Sequence, residues 1–114
     1  MLAINLSQRF IKELKTLKKK FRKIEEDLDQ LFSALAQENI IGDRMQEFRG
    51  FELYKARIKN SSREIGKSGG FRVIYYIKRL DGEIFALTIY SKSQKSDISR
   101  NEILKILKEE NLIQ

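Results

Sequence analysis

The longest hydrophobic pattern of the chain lies in its first third. Apolar residues recur there at alternating spacings of four and three positions, which is the period of one face of an amphipathic helix. The basic segment LKKKFRK (17–23) is where we expect a bend, so the pattern predicts two helices, over 7–18 and 21–37. A coiled-coil dimer is an alternative, because the heptad pattern lasts about four repeats. The stripe consists of Phe10, Leu14, Leu17, Phe21, Ile24, Leu28, Leu31 and Leu35.

After residue 50 the pattern changes to short segments rich in β-branched and aromatic residues. FELYKARIK (51–59), FRVIYYIKR (71–79) and EIFALTIYS (83–91) are predicted strands, and LAINL (2–6) predicts a short strand before the helices. The first of the three alternates strictly, so its odd and even positions point to opposite faces of the sheet. One face receives Leu53, Lys55, Arg57 and Lys59, and the other receives Tyr54, Ala56 and Ile58.

Turn and cap signals complete the outline. The Asp-Gly pair in LDGE (80–83) predicts a tight two-residue hairpin. SRNE (99–102) is a capping box, with Ser99 as N-cap and Glu102 three residues later, and it opens a C-terminal helix. ENIIGDRMQEFRG (38–50) is predicted to be a loop.

The predicted order is β-α-α-β-β-β-α, which indicates an α+β fold. We expect an antiparallel-rich sheet packed against an N-terminal helical hairpin and a C-terminal helix. At 114 residues, the chain 1–114 is long enough for one domain with a single core.

Composition excludes several classes of function. No apolar run approaches the length of a membrane span, and the first residues lack the basic-then-apolar order of a secretory signal. Cysteine is absent, which fits a reducing cytoplasm, so we expect a cytoplasmic protein. Histidine is absent too, so the usual general base and any Cys/His zinc site are missing. We predict neither a metal site nor a cofactor.

The charge of the chain is strongly positive and uneven. A net charge of +7 and a pI near 9.7 favour an anionic partner. Residues 9–23 carry eight Lys or Arg against one acid, residues 24–53 carry eight acids against two Arg, and residues 55–79 are basic again. Each run alone is typical of a solvated face. Two basic blocks separated by an acidic one indicate a polarised surface.

A glycine-rich segment, GKSGGFRVIYYI (66–77), precedes the second long strand. Gly69 and Gly70 can adopt positive φ and allow another backbone or a ligand to come close. Arg72 is the one charged residue at the start of this apolar strand. It is either a ligand-binding residue or the partner of a buried ion pair with Glu52 or Glu83.

The strand order brings several cations together. Lys55 and Arg57 lie on one face, Arg72 opens the next strand, and Lys92 and Lys95 follow the third, so an antiparallel meander places them on one concave patch. The alternatives are an ordinary solvent face for the first pair and a polar loop for SKSQKSD (91–97). Tyr75, Tyr76 and Tyr90 are candidates for core or rim packing, or for platforms on which bases stack.

Three segments together resemble the RelE/HigB branch of the RelE/ParE superfamily, the toxins of bacterial toxin–antitoxin pairs. They are LYKARIKN (53–60), GKSGGFRVIYYI (66–77) and LTIYSKSQKSDIS (87–99). The resemblance implies a metal-independent endoribonuclease that cleaves messenger RNA at the ribosome, leaves a 2′,3′-cyclic phosphate, and is blocked by a cognate antitoxin.

The resemblance also assigns roles to residues. The basic strand pair of the family falls on Lys55 and Arg57, with Lys55 as the better candidate for the base. The arginine that binds the phosphate falls on Arg72, and the following cation falls on Lys92 or Lys95. Where RelE has a tyrosine that stacks on the base, this chain has Ile98 or Ser99, and Tyr90 is the possible substitute. The predicted catalytic set is Lys55, Arg57, Arg72 and Lys92, and the predicted RNA-binding set is Lys59, Lys67, Tyr90 and Lys95.

Two other classes of function remain open at the level of the sequence. ParE-like relatives share the fold but poison DNA gyrase and are not ribonucleases. A non-catalytic RNA- or DNA-binding module would also account for the positive charge.

Overall fold

The computed structural model describes residues 1–62 and 69–114. Residues 63–68 lie outside the described residues, and with them Lys67 and the first part of the glycine-rich segment. The described elements follow the predicted order with one additional short strand. They are β1 (Ala3–Leu6), α1 (Gln8–Lys20), α2 (Ile24–Ala36), β2 (Asp43–Arg44), β3 (Glu52–Ile58), β4 (Phe71–Lys78), β5 (Glu83–Ser91) and α3 (Arg100–Glu109).

The strands form one sheet in the order β1-β5-β4-β3-β2. β3, β4 and β5 are an antiparallel meander, β2 is antiparallel to β3, and β1 is parallel to β5. The α+β fold and its antiparallel-rich sheet are thus confirmed. The additional strand, β2, lies in the segment that was predicted to be a loop. Two residues are too few to show the alternation by which a strand is recognised.

The helical stripe packs on the sheet of its own chain. α1 begins after Ser7, whose hydroxyl oxygen accepts the Phe10 N–H at 3.0 Å. α1 ends at Lys20 and α2 begins at Ile24, so the bend lies where it was predicted. Stripe residues and strand residues belong to one buried cluster, which includes Phe10, Phe21, Leu28, Leu35, Phe71, Val73 and Ile89. The stripe is therefore part of the core and is not left free for a coiled-coil dimer.

The other face of the sheet is covered by α3. Leu53, Ile74 and Leu87 pack there with Ile103 and Leu107. Ala56 and Ile58 point to the opposite cluster, under the helical hairpin, so the predicted alternation of β3 is confirmed. Arg57, two and four residues from Lys55 and Leu53, shares their face of the strand.

Two local predictions need correction. β4 and β5 are joined by four residues, 79–82, because Lys78 pairs with Glu83. A 3-10 turn precedes Gly82, which has φ +67°; the Asp-Gly signal marks this left-handed residue but not how many residues come before it. At α3, Ser99 accepts the Glu102 N–H at 3.1 Å as predicted. The Glu102 carboxylate contacts Lys95 at 3.2 Å instead of closing the capping box.

The chain contains, among the described residues, no helix that is both long and apolar enough to cross a membrane.

Candidate functional site

Two arginines lie directly opposite each other in the meander. Arg57 of β3 pairs in register with Arg72 of β4, and Arg72 pairs with Tyr90 of β5. Arg57 is exposed, whereas Arg72 is only 8% exposed. Like charges directly opposite in adjacent strands destabilise a sheet. The sheet therefore places two positive charges opposite each other, an arrangement that the stability of the sheet alone does not favour.

Main-chain oxygens hold the side chain of Arg72. Its guanidinium donates hydrogen bonds to the carbonyl oxygens of Gly69 and Phe71, the latter at 3.3 Å. Among the described residues no carboxylate lies within ion-pair distance of Arg72. The proposed ion pair with Glu52 or Glu83 is absent.

Both of those carboxylates have other partners. Glu52 binds Arg79 at 2.5 and 3.2 Å, and Glu83 accepts a hydrogen bond from Asn5 at 3.1 Å. The hydrogen bond from Arg79, helped by its charge, holds the pKa of Glu52 below its ordinary value although burial opposes this shift. Neither of these carboxylates thus neutralises the charge on Arg72.

The glycine pair allows the backbones around Arg72 to approach each other closely. Gly69 and Gly70 have φ values of +89° and +56°. A Cβ on Gly70 would lie 2.1 Å from the Ile58 carbonyl oxygen, so the backbones of β3 and of the β4 entrance approach more closely than any side chain allows. The Gly70 carbonyl also accepts the Lys92 N–H at 2.9 Å. The segment after β5 is thereby held beside the glycines.

A cleft of about 270 Å³ opens at this junction. The cations on its wall are Arg57, Lys59 and Arg72, and the two glycines expose their backbone to it. Lys92 lies at its edge, since its Cγ would be 3.1 Å from a Cβ on Gly69. The structure thus brings Arg57, Arg72 and Lys92 of the predicted patch together, and it places Lys59 beside them.

Lys55 does not line this cleft but lies two residues before Arg57 on the same face of β3, and it has a partner that was not predicted from the sequence. Its ammonium nitrogen lies 2.8 Å from Oδ1 of Asp97, in the segment between β5 and α3. The same oxygen accepts the Ile98 N–H at 2.8 Å. The Lys55 hydrogen bond, then the Ile98 N–H, and the charges of Lys55 and Lys92 hold the pKa of Asp97 below its ordinary value. An acid inside the otherwise basic segment SKSQKSD was the available signal.

Lys95 is not part of the cation group. It lies 5.6 Å from the centre of the Tyr90 ring and 3.2 Å from a carboxylate oxygen of Glu102. It lines a separate groove of about 320 Å³ between α1 and β5, together with Lys12 and Thr16. The concave patch predicted from the sequence therefore includes Lys92 but not Lys95.

The three tyrosines that were candidates differ in exposure: Tyr75 and Tyr90 are buried, whereas Tyr76 is half-buried and packs against Phe51 and Phe85. Tyr90 is 6% exposed, and burial raises the pKa of its hydroxyl to about 12. Ile98 is 7% exposed in the core under α3, and the hydroxyl of Ser99 caps that helix. The ring of Tyr90, the possible substitute for the stacking tyrosine, packs largely inside the protein, which favours the alternative that the chain does without such a platform. Tyr75 is fully buried as well, with its hydroxyl donating to the Ile41 carbonyl oxygen at 2.5 Å.

Metal ligands are not grouped in the part of the chain that the structure describes. No three carboxylates there are close enough to hold an ion. The described groups that the cleft offers to a ligand are cations, backbone groups and the side chain of Asn60.

Comparison with known proteins agrees with this architecture. The fold is similar to that of a copper-bound mutant toxin from Helicobacter pylori, in a crystal structure that is 20% identical in sequence. The superposition covers 83% of this chain and 99% of that one, with a TM-score of 0.51. The family model for the ParE toxin of the type II toxin–antitoxin system parDE matches residues 4–96. The chain therefore belongs to the ParE toxin family, within the RelE/ParE superfamily of type II toxins.

Proposed function

We propose that this toxin is a metal-independent endoribonuclease that cleaves messenger RNA at the ribosome. The observation that carries the proposal is the opposed pair Arg57 and Arg72 at the wall of the glycine-lined cleft. An anion that binds between the positive charges of these two opposed residues offsets their mutual repulsion. A phosphodiester fits this role, because arginine matches phosphate oxygens with paired N–H donors.

The reaction needs little more than this cation group. The 2′-hydroxyl oxygen attacks the neighbouring phosphorus, the bond from phosphorus to the 5′ oxygen breaks, and a 2′,3′-cyclic phosphate remains. Arg72 and Arg57 bind the non-bridging oxygens, on which negative charge grows in the transition state. Because buried hydrogen bonds fix Arg72, this stabilisation requires no reorganisation as the charge develops.

The position of Lys55 supports a different role from the one expected. The ion pair with Asp97 at 2.8 Å is an interaction of the charged ammonium group. A charged lysine donates a proton and cannot accept one, so Lys55 fits the general acid that protonates the departing 5′ oxygen better than the base. The 2′-hydroxyl then loses its proton to water.

A second candidate function is inhibition of DNA gyrase. The match to the ParE toxin family favours it, because ParE-like relatives poison DNA gyrase. On this alternative the cations bind a partner electrostatically and perform no chemistry. The two functions differ in what the Arg57–Arg72 pair must do, so they are separable by experiment.

A toxin of this family has a cognate antitoxin. We propose that an acidic antitoxin segment either covers the cleft or binds elsewhere and blocks ribosome entry by its bulk. Because messenger RNA is translated by ribosomes in the cytoplasm, we propose that the toxin acts there.

The test compares Arg72→Ala with Arg79→Ala in a translating extract. Arg79 is an arginine at the other end of the meander, where it contacts Glu52. Loss of Arg72 should lower the cleavage rate about a hundredfold, equivalent to about 3 kcal/mol of transition-state stabilisation, while the control cleaves normally. Inhibition of gyrase supercoiling without RNA cleavage by the wild type would favour the second candidate.

A further inference from the structure

We propose that Asp97 is a positioning residue that holds Lys55 as an ammonium group beside the cleft, ready to protonate the departing 5′ oxygen. This inference rests on the proposed ribonuclease function and deepens it. Asp97 itself need not touch the RNA. It acts through the lysine.

The carboxylate of Asp97 accepts hydrogen bonds from two sides, on a side chain that is 66% exposed. Oδ1 accepts hydrogen bonds from Lys55 Nζ and from the Ile98 N–H, both at 2.8 Å, and the Tyr90 hydroxyl lies 3.5 Å away. Ile98 is buried in the core under α3, so its N–H is a rigid anchor. The Ile98 N–H therefore helps to hold the carboxylate in a position from which it contacts Lys55.

The ion pair also connects two separate parts of the site. Lys55 lies on β3, two residues before Arg57 in the chain, whereas Asp97 lies 42 positions after Lys55, beyond the end of β5. The segment that Asp97 terminates also carries Lys92, whose Nζ donates to the Ser96 carbonyl at 2.5 Å. The side chain of Lys55 is 29% exposed, so its apolar stem is largely covered while the ammonium group reaches Asp97.

The same geometry argues against Asp97 as the base. Two hydrogen bonds to one oxygen and two nearby cations stabilise its charged form, and they hold its pKa below the ordinary value. A carboxylate of this kind accepts a proton poorly at neutral pH. Its contribution is a negative charge next to the ammonium group of Lys55.

The proton is accounted for at each step. The oxygen–phosphorus bond of the cyclic phosphate forms as the 2′-hydroxyl releases its proton to water. The bond from phosphorus to the 5′ oxygen breaks, and Lys55 transfers a proton to that oxygen. Lys55 then regains a proton from solvent, and Asp97 again holds the ammonium group in place.

The test uses ribosomes that carry a short messenger with one cleavable linkage. One version is natural, and in the other the departing 5′ oxygen is replaced by sulfur, which leaves without a proton. Asp97→Asn should cleave the natural linkage about 10- to 100-fold more slowly than the wild type. It should cleave the sulfur linkage at the wild-type rate.

Asp81→Asn is the matched control. Asp81 is also an aspartate paired with a lysine, Lys78, at 3.0 Å, and its replacement changes the net charge by the same amount. It lies in the turn between β4 and β5, away from the cleft. We expect this variant to cleave both messengers at the wild-type rate.

Two results would overturn the role of Asp97. If Asp97→Asn slows both linkages equally, the residue is structural only. If it cleaves the natural linkage as fast as the wild type, or faster with tighter RNA binding, Asp97 is a neutral or shielding group.

A measurement without RNA separates this inference from the proposed function. The ammonium signal of Lys55, followed by nitrogen-detected NMR, should change in Asp97→Asn and stay unchanged in Asp81→Asn. If the signals behave in this way but the wild type cleaves neither messenger, the ribonuclease proposal fails, and the catalytic role of Asp97 fails with it. If the wild type cleaves the RNA but the Lys55 signal is the same in Asp97→Asn, only the role of Asp97 is overturned.

Discussion

Arg57 and Arg72 face each other across neighbouring antiparallel strands, and the buried guanidinium of Arg72 is held by the carbonyl oxygens of Gly69 and Phe71. This relationship links the fold to the proposed chemistry. The sheet sets the spacing of the two cations, and the glycines supply main-chain acceptors that orient Arg72 without neutralising it. A bound phosphate would complete the charge balance that the described residues leave open.

Of the two glycines before β4, Gly70 should be the one that is essential for the stability of the folded protein. Gly70→Ala places a methyl group 2.1 Å from the Ile58 carbonyl oxygen in a left-handed backbone, so we expect it to lower the free energy of unfolding by at least about 3 kcal/mol. Gly82→Ala has a similar φ of +67° but no atom within 4 Å, and should cost only about 1 kcal/mol. Urea unfolding measures both. Equal losses would show that crowding at Ile58 does not matter.

The acid dependence of stability should include a contribution from Glu52. Its pKa is lowered in the folded protein by the hydrogen bond and charge of Arg79, so the unfolded chain binds the proton more readily. The stabilisation is complete above the unfolded pKa and is lost as the pH falls through the folded pKa. Below about pH 4.5, the wild type should therefore lose stability more steeply than Glu52→Gln. Urea unfolding at several pH values tests this, and parallel curves for the two proteins would contradict it.

Cleavage should not depend on a divalent metal ion. The described residues offer no grouped metal ligands near the cleft, and the proposed reaction needs only cations and a proton donor. After any requirement of the ribosome for magnesium is controlled for, EDTA should leave the rate unchanged and the products should end in a 2′,3′-cyclic phosphate. Products that end in a 3′-hydroxyl would indicate a metal-dependent mechanism instead.

Capture by the antitoxin should be accelerated by charge. The basic chain, with a net charge of +7, attracts an acidic segment over a distance that salt shortens. We expect the association rate with the protein of the neighbouring gene to fall roughly tenfold between low and high salt, with a smaller change in dissociation. If that protein neither binds nor relieves toxicity, it is not the antitoxin.

The sequence predicted the fold well because its signals are local and periodic. The stripe from Phe10 to Leu35 and the alternation around Lys55 each predict a face, and packing in the structure follows both. β2 was missed because two residues carry no pattern. The length of the β4–β5 connection was missed because an Asp-Gly pair marks a turn without fixing how many residues it contains.

The cation group was partly predictable for a similar reason. A meander brings the beginnings and ends of adjacent strands together, which accounts for Arg57, Arg72 and Lys92. It does not fix the direction of a side chain in the following segment, so Lys95 was wrongly included and Asp97 was overlooked. The burial of Tyr90 depends on how α3 covers the sheet, and no spacing in the sequence reports that.

The most direct test of the account is a map of messenger RNA 5′ ends in cells after brief induction of the chain, with Arg72→Ala induced in parallel. We expect new 5′ ends within coding sequences for the wild type, and we expect Arg72→Ala to lose both these ends and the growth inhibition. A wild-type protein that stops growth without producing new ends, or a folded Arg72→Ala protein that produces them equally well, would contradict it.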